Sequence, residues 1–159
     1  MAVALLAYEA KINTDKRNAL TVGDVFGDGS NGAADNTLLP GEMIRGIELP
    51  APRQGERAFY KRAISRSHAE WPLVEVCARA VLTDGTFQFV RLTAGGIAPV
   101  PLRLQAAEAA LQGLPANGLN ISVAAKLAAS GAKPLPMTGY KLDLLEGVVR
   151  DVLEKLSTP

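Results

Sequence analysis

The chain has 159 residues, of which 48% are hydrophobic and 21% charged, so it holds enough apolar side chains for one domain or two small subdomains with a real core. Its formal net charge is +1 and only 5% of residues are aromatic, without a basic block, which argues against a nucleic-acid surface. Cys77 is the sole cysteine, which excludes an intrachain disulfide and fits a reducing compartment.

The start, MAVALLAYEAKINTDKR, lacks the basic opening and small-residue cleavage site of a signal peptide. No apolar run reaches the ~20 residues that span a bilayer. A cytoplasmic protein without membrane attachment is expected.

Met1 to Tyr8 is Ala/Leu-rich and predicts a helix. Ala10 to Asn13 and Arg17 to Val22 are short strand candidates that pair across Thr14-Asp15-Lys16. Gly27 to Asn36, GDGSNGAADN, is an exposed loop by its small, turn-forming residues and is the best candidate for local disorder. Glu42 to Leu49 alternates as a strand and ends at the linker Pro50-Ala51-Pro52.

Beyond the linker, Arg57 to Ser65 predicts a strand. Leu73 to Leu82 predicts a second, with Val74, Val76, Ala78, Ala80 and Leu82 on one face. Asp84-Gly85 is a two-residue hairpin signal, and Phe87 to Ala94 returns as a third strand. The apolar phase of this strand shifts between Phe89 and Val90, which calls for a bulge or burial on both faces.

Three helices follow. Leu104 to Gln112 ends at Gly113, Asn120 caps a helix to Ser130, and Tyr140 to Leu156 carries Leu145, Val148, Val149, Val152 and Leu156 along one stripe. Strands followed by helices, behind a smaller αβ piece, make an α+β fold.

Residues with chemical potential are few. His68 is the sole histidine and has no cysteine or carboxylate cluster beside it in sequence, so it reads as a loop histidine. Cys77 lies among apolar neighbours and reads as a small buried residue. Gly95-Gly96 lacks the spacing of a dinucleotide loop and reads as a turn. Asp24, Asp28 and Asn31 lack the spacing of a calcium loop, and no metal is expected. Composition and pattern assign no catalytic residue, substrate or reaction.

Five ordered segments say more: MAVALLAYEAKI, NTLLPGEMIRGIELPAP, FYKRAISRSHAEWPLVEVCARAVL, FVRLTAGGIAPVPLRLQAAEAALQG and MTGYKLDLLEGVVRDVLEKL. In this order they resemble the C-terminal half of the FAD-binding medium subunit of the molybdenum hydroxylases, the xanthine, aldehyde and carbon-monoxide dehydrogenases. The third segment departs by one extra residue between Lys61 and Arg66.

The resemblance implies that residues 1–52 are part of a flavin-binding αβ subdomain. Residues 53–159 would form a C-terminal domain with a three-stranded antiparallel sheet and a three-helix bundle. It implies FAD as cofactor, electron transfer as function, and molybdenum-cofactor and iron–sulfur subunits as partners. Met43 and Ile44 match the apolar pair beside the flavin ring, and Lys61 matches a lysine near the isoalloxazine. Without the resemblance these read as a strand core pair and a surface lysine.

The family's main FAD motifs, a Gly-rich pyrophosphate loop and a second Gly/Asn-containing segment, belong to its N-terminal half and have no match here. An N-terminal FAD-domain half is therefore expected as a partner, catalysis by this chain alone is not, and a homo-oligomer is one way to cover the surface left open. The alternative is a non-flavin interaction or scaffolding module that retains the C-terminal fold.

Overall fold

The structure is a computed structural model that describes residues 1–65 and 71–158. His68 lies outside the described residues. The fold is α+β, with one two-stranded and one four-stranded antiparallel sheet.

The chain opens with α1 (Ala2–Ala7) and β1 (Lys11–Thr14). Leu20 bridges back to Ile12 in antiparallel fashion, as expected, but the strand forecast over Arg17 to Val22 goes no further. Thr21 and Asp24 form a reciprocal capping box, and the chain turns into α2 (Val22–Phe26). The turn-rich loop that follows backs Gly29 onto Pro99 and Val100. β2 (Ile44–Glu48) then pairs with β1 through a bulge between Asn13 and Thr14.

The larger sheet has the order β3 (Glu56–Ala63), β4 (Val74–Thr83), β5 (Thr86–Gly95) and β6 (Leu102–Arg103). The resemblance implied three strands; the fourth is the two-residue β6, too short to leave a period in the sequence. Asp84 and Gly85 sit at φ +49° and +71°, the pair of positive values that a tight hairpin between twisted strands needs.

The phase shift of β5 is a bulge. Val81 faces Phe89 but Leu82 faces Phe87, so Gln88 is the extra residue. Phe87 thereby joins Val90, Leu92 and Ala94 in the core.

Helices α3 (Gln105–Ala109), α4 (Gly118–Leu127) and α5 (Tyr140–Ser157) cover one face of this sheet. All five stripe residues of α5 are buried there, against Val74, Val76, Ala78 and Ala80 of β4. α3 is shorter than its pattern because Gly113 N–H donates to Phe87 C=O (2.8 Å), and Phe87 N–H donates to Leu114 C=O (3.0 Å). The α4 cap is Asn117, not Asn120: Asn117 has the extended backbone of an N-cap, and its side chain accepts from Asn120 N–H at 2.9 Å.

The opposite face is covered by α1. Val3 and Ala7 pack on Cys77, Thr93 Oγ1 donates to Val3 C=O (2.8 Å), and Arg79 donates to Ala7 C=O (2.9 Å). β4 is therefore buried on both sides.

Candidate functional site

The residues singled out as Met43, Ile44 and Lys61 lie in two different sheets. Met43 immediately precedes β2 and Ile44 opens it; Lys61 lies on β3, opposite Val76.

The approach to β2 is built by a turn at Leu39-Pro40-Gly41-Glu42. Gly41 has φ +71° and Glu42 N–H returns to Leu39 C=O at 2.9 Å. Proline then glycine at the two central positions suits such a turn, because only glycine takes the positive φ without strain.

Glu42, which ends the turn, has a side chain 0% exposed. Its carboxylate accepts from Arg17 Nε (2.8 Å) and Nη2 (2.8 Å), from Thr14 Oγ1 (2.6 Å) and from Leu39 N–H (2.8 Å). Hydrogen bonds from Arg17 first, then Thr14, hold the carboxyl at about 2, well below its ordinary 4.5. Asp15 then pins the next residue from both sides: Met43 N–H donates to Asp15 Oδ1 (3.0 Å), and Asp15 N–H donates to Met43 C=O (3.1 Å).

On this fixed backbone the side chains point into open space. Met43 is 67% exposed and Ile44 47%, so they are not a core pair. Leu39, Ile47 and Leu49 are exposed as well, and a Cβ added at Gly46 would meet nothing within 4 Å. The result is a ledge of exposed apolar side chains interrupted by exposed Arg45 and Glu48, on a rigid polar footing.

Lys61 is held differently. Its ammonium pairs with Asp151 of α5, with both side chains partly exposed, so the cation is tethered on the helix-covered face of the larger sheet.

The other glycine candidate is a packing pair. A Cβ at Gly95 would strike Glu75 and Val3 at 2.6 Å, and one at Gly96 would strike Leu73 C=O at 2.8 Å. Neighbouring atoms fill the space a phosphate would take. Gly95-Gly96 therefore offers no backbone cradle for a phosphate.

Among the described residues no group of three His, Cys, Asp or Glu is placed to hold a metal, and no helix is long and apolar enough to cross a membrane. Cys77 is buried beneath α1, and that burial pushes its thiol up to about 11.

Sequence reasoning missed Thr14, Asp15, Arg17 and Glu42 as the footing of the ledge. Their sole sequence signal was the polar turn at Thr14-Asp15-Lys16, which does not reveal a partner 25 residues away.

The comparisons with known proteins agree with this architecture. A family model of the CO dehydrogenase flavoprotein C-terminal domain matches residues 58–156. The aldehyde oxidoreductase FAD-binding subunit PaoB of Escherichia coli (strain K12) is 33% identical over 116 residues, which is 70% of this chain and 35% of that protein.

Two solved structures share the fold. Carbon monoxide dehydrogenase from Hydrogenophaga pseudoflava superposes at a TM-score of 0.84 with 23% identity, over 96% of this chain and 54% of that one. Quinoline 2-oxidoreductase from Pseudomonas putida 86 gives 0.83 and 18%, over 99% and 55%. The chain thus spans about a third of the curated relative and about half of the solved chains. With 58–156 matched and the same sheet-and-helix order seen in the fold, this chain belongs to the CO dehydrogenase flavoprotein C-terminal domain family.

Proposed function

We propose that the chain is part of the FAD-binding electron-transfer subunit of a molybdopterin-dependent oxidoreductase. The observation that carries this reading is the family match over residues 58–156. Residues 1–52 would complete a flavin-binding subdomain and residues 53–159 would be the C-terminal domain. Molybdenum-cofactor and iron–sulfur subunits are the proposed partners, and the cytoplasm the proposed location.

FAD, when bound, supplies redox chemistry between one-electron and two-electron carriers. Met43 and Ile44 would pack against its ring, which suits their exposure and fixed backbone. Lys61 would place a cation near the ring to favour its reduced, anionic form, with Asp151 setting where that cation sits.

Phosphate binding rests largely on backbone N–H groups aimed at the anion, and the described residues lack such a cradle. The isolated chain is therefore expected to bind FAD with a dissociation constant weaker than ~1 μM, short of about −8 kcal/mol. Calorimetric titration measures this.

The reading itself is tested in the native host. A tagged chain is recovered with its associated subunits, and flavin, molybdenum and iron are assayed. Recovery of all three supports the assignment; a stable assembly free of flavin supports the scaffolding alternative instead.

A further inference from the structure

The strand β6 pairs only with Thr93 and Ala94, and beyond it the outer edge of β5 is closed largely by side chains. Leu92 N–H donates to Glu108 Oε1 (3.0 Å), and Leu92 C=O accepts from Leu104 N–H (2.8 Å). Further along, Gln112 Nε2 donates to Gln88 C=O (2.6 Å). Val90 lies between these two plugs. Leu92 turns both backbone groups away from β4, and alternation along an antiparallel ladder gives Val90, opposite Ala80, the same direction. Its C=O accepts from Arg91 Nη1 on that side (3.0 Å). Its N–H, on a residue 1% exposed, meets no acceptor among the described residues. A buried donor of this kind calls for a partner.

Val90 lines a cleft of about 300 Å³ together with Arg91, Arg103, Gln105 and Ala109. Arg103 is held there by buried Glu108, through Nε (3.0 Å) and Nη2 (2.7 Å) to Oε2. The Arg91 guanidinium stacks 4.7 Å from the Phe89 ring. Both arginines also reach one further oxygen, Glu9 Oε1, at 3.0 and 3.5 Å. Glu9 closes α1 at φ +53°, where Glu9 N–H returns to Leu6 C=O (3.0 Å) and Ala10 N–H to Leu5 C=O (3.0 Å). Glycine usually fills this place in a helix-ending turn. The chain thus sets a carboxylate on the two guanidiniums at a position unfavourable for its backbone, and leaves that side chain 43% exposed.

We propose that this cleft binds a small organic carboxylate, for which Glu9 is a built-in competitor. Two arginines against Glu108 leave one positive charge when Glu9 swings out, so a monoanion balances the site and a dianion does not. Val90 N–H and the Arg91 guanidinium would donate to the carboxylate oxygens, with the charge-assisted strength of such bonds. Val90 and Ala109 offer a short acid an apolar wall. Only one residue of the β5 edge is open between the Gln112 and Glu108 plugs, which is too little for an added strand and favours a small molecule over a peptide.

The test is an NMR titration of the full chain with sodium acetate, at an ionic strength held constant with sodium chloride. The Val90 amide is followed in wild type, Glu9→Gly and Arg91→Gln. The expected result is a saturable Val90 shift in wild type. Glu9→Gly, which removes the competitor and suits the backbone, should tighten acetate roughly tenfold if Glu9 holds the guanidiniums about nine-tenths of the time. Arg91→Gln keeps the Arg103–Glu108 pair and should abolish saturation at an unchanged fold; if that variant fails to fold, wild type against Glu9→Gly decides.

A Val90 shift that is linear and the same for acetate and chloride overturns the site. Equal acetate affinity in wild type and Glu9→Gly overturns the role of Glu9. Dianionic phosphate binding tighter than acetate overturns the choice of a monoanion. A glutamate-containing tripeptide that binds where acetate does not makes a protein carboxylate the ligand and overturns the small acid.

Discussion

Replacing Glu56 with glutamine should unfold this protein more readily than any surface charge change. Arg79 lies on the α1 side of β4 with a side chain 2% exposed, and Glu56, its partner on β3, is 5% exposed. The pair is bidentate, Nε to Oε1 at 2.8 Å and Nη2 to Oε2 at 2.9 Å. The guanidinium also stacks 4.2 Å from the Tyr8 ring and donates to Ala7 C=O, so it cannot swing into water without lifting the end of α1. Glu56→Gln keeps the shape and removes the charge, which leaves Arg79 buried without a counter-ion. Breaking a buried pair from one side costs about 3–5 kcal/mol. Arg79 keeps its other contacts, which places the expected loss near the lower end, about 3 kcal/mol. At roughly 2–4 °C per kcal/mol for a chain of this size, the midpoint should fall by about 6–12 °C. Calorimetry and urea titration of Glu56→Gln, Arg79→Met and the double variant measure this and the coupling between the two sites.

The pH dependence has a definite sign. Hydrogen bonding to Arg79 lowers the Glu56 carboxyl in the folded state. Its stabilisation is complete above the unfolded carboxylate value and fades as pH falls through the lower, folded one. The gap between wild type and Glu56→Gln should therefore narrow in acid. A loss below about 1 kcal/mol at neutral pH, the range of an exposed pair, would refute the account of Arg79 as a buried cation dependent on Glu56.

Two further outcomes follow from the same structure. Glu42 sits at about 2 against an ordinary 4.5, so its contribution should be complete above pH 4.5 and vanish toward pH 2. Melting curves of wild type and Glu42→Gln should converge over that window, and a constant gap across it would contradict the buried Arg17 pairing. A chain shortened to begin at Pro52 retains the larger sheet and α3 to α5, and should still melt cooperatively, but lower, because α1 no longer covers Cys77 and Thr93. A thiol reagent should leave Cys77 unmodified in the full chain and modify it in the shortened one; equal rates would mean that α1 is not its cover.

What could be read from the sequence was what the chain decides locally. The alternation of β4, the Asp84-Gly85 turn and the stripe of α5 each depend on neighbours within a few residues, and each was found where the pattern put it. The second face of the large sheet escaped because it looks solvated. Arg79 and Thr93 alternate with apolar residues as an outward face would, and their burial comes from a helix more than 70 residues earlier, as the Arg79–Ala7 bond shows. Short-range information was also lost where two signals competed. Thr21 lies at the end of the Arg17 to Val22 stretch read as a strand, yet it forms a capping box with Asp24 just beyond, and the cap prevailed because it satisfies helix donors that an isolated strand leaves to water.

The ledge was legible in part, and for a different reason. Met43 and Ile44 were singled out through resemblance alone, since an apolar pair in a strand ordinarily means core, and nothing local distinguishes a buried face from an exposed one. The structure separates the two by exposure and by footing. A strand so open would gain little from a buried carboxylate beneath it unless the position of its side chains mattered, because Glu42 must be desolvated and then compensated by four donors. Tying Glu42 down fixes the direction of Met43 and Ile44 before any ligand arrives, which lowers the ordering cost of binding there. Lys61 shows the converse. Its tether, Asp151, lies 90 residues away, so its position follows from the packing of α5 on β3 and no reading of its own neighbourhood would find it.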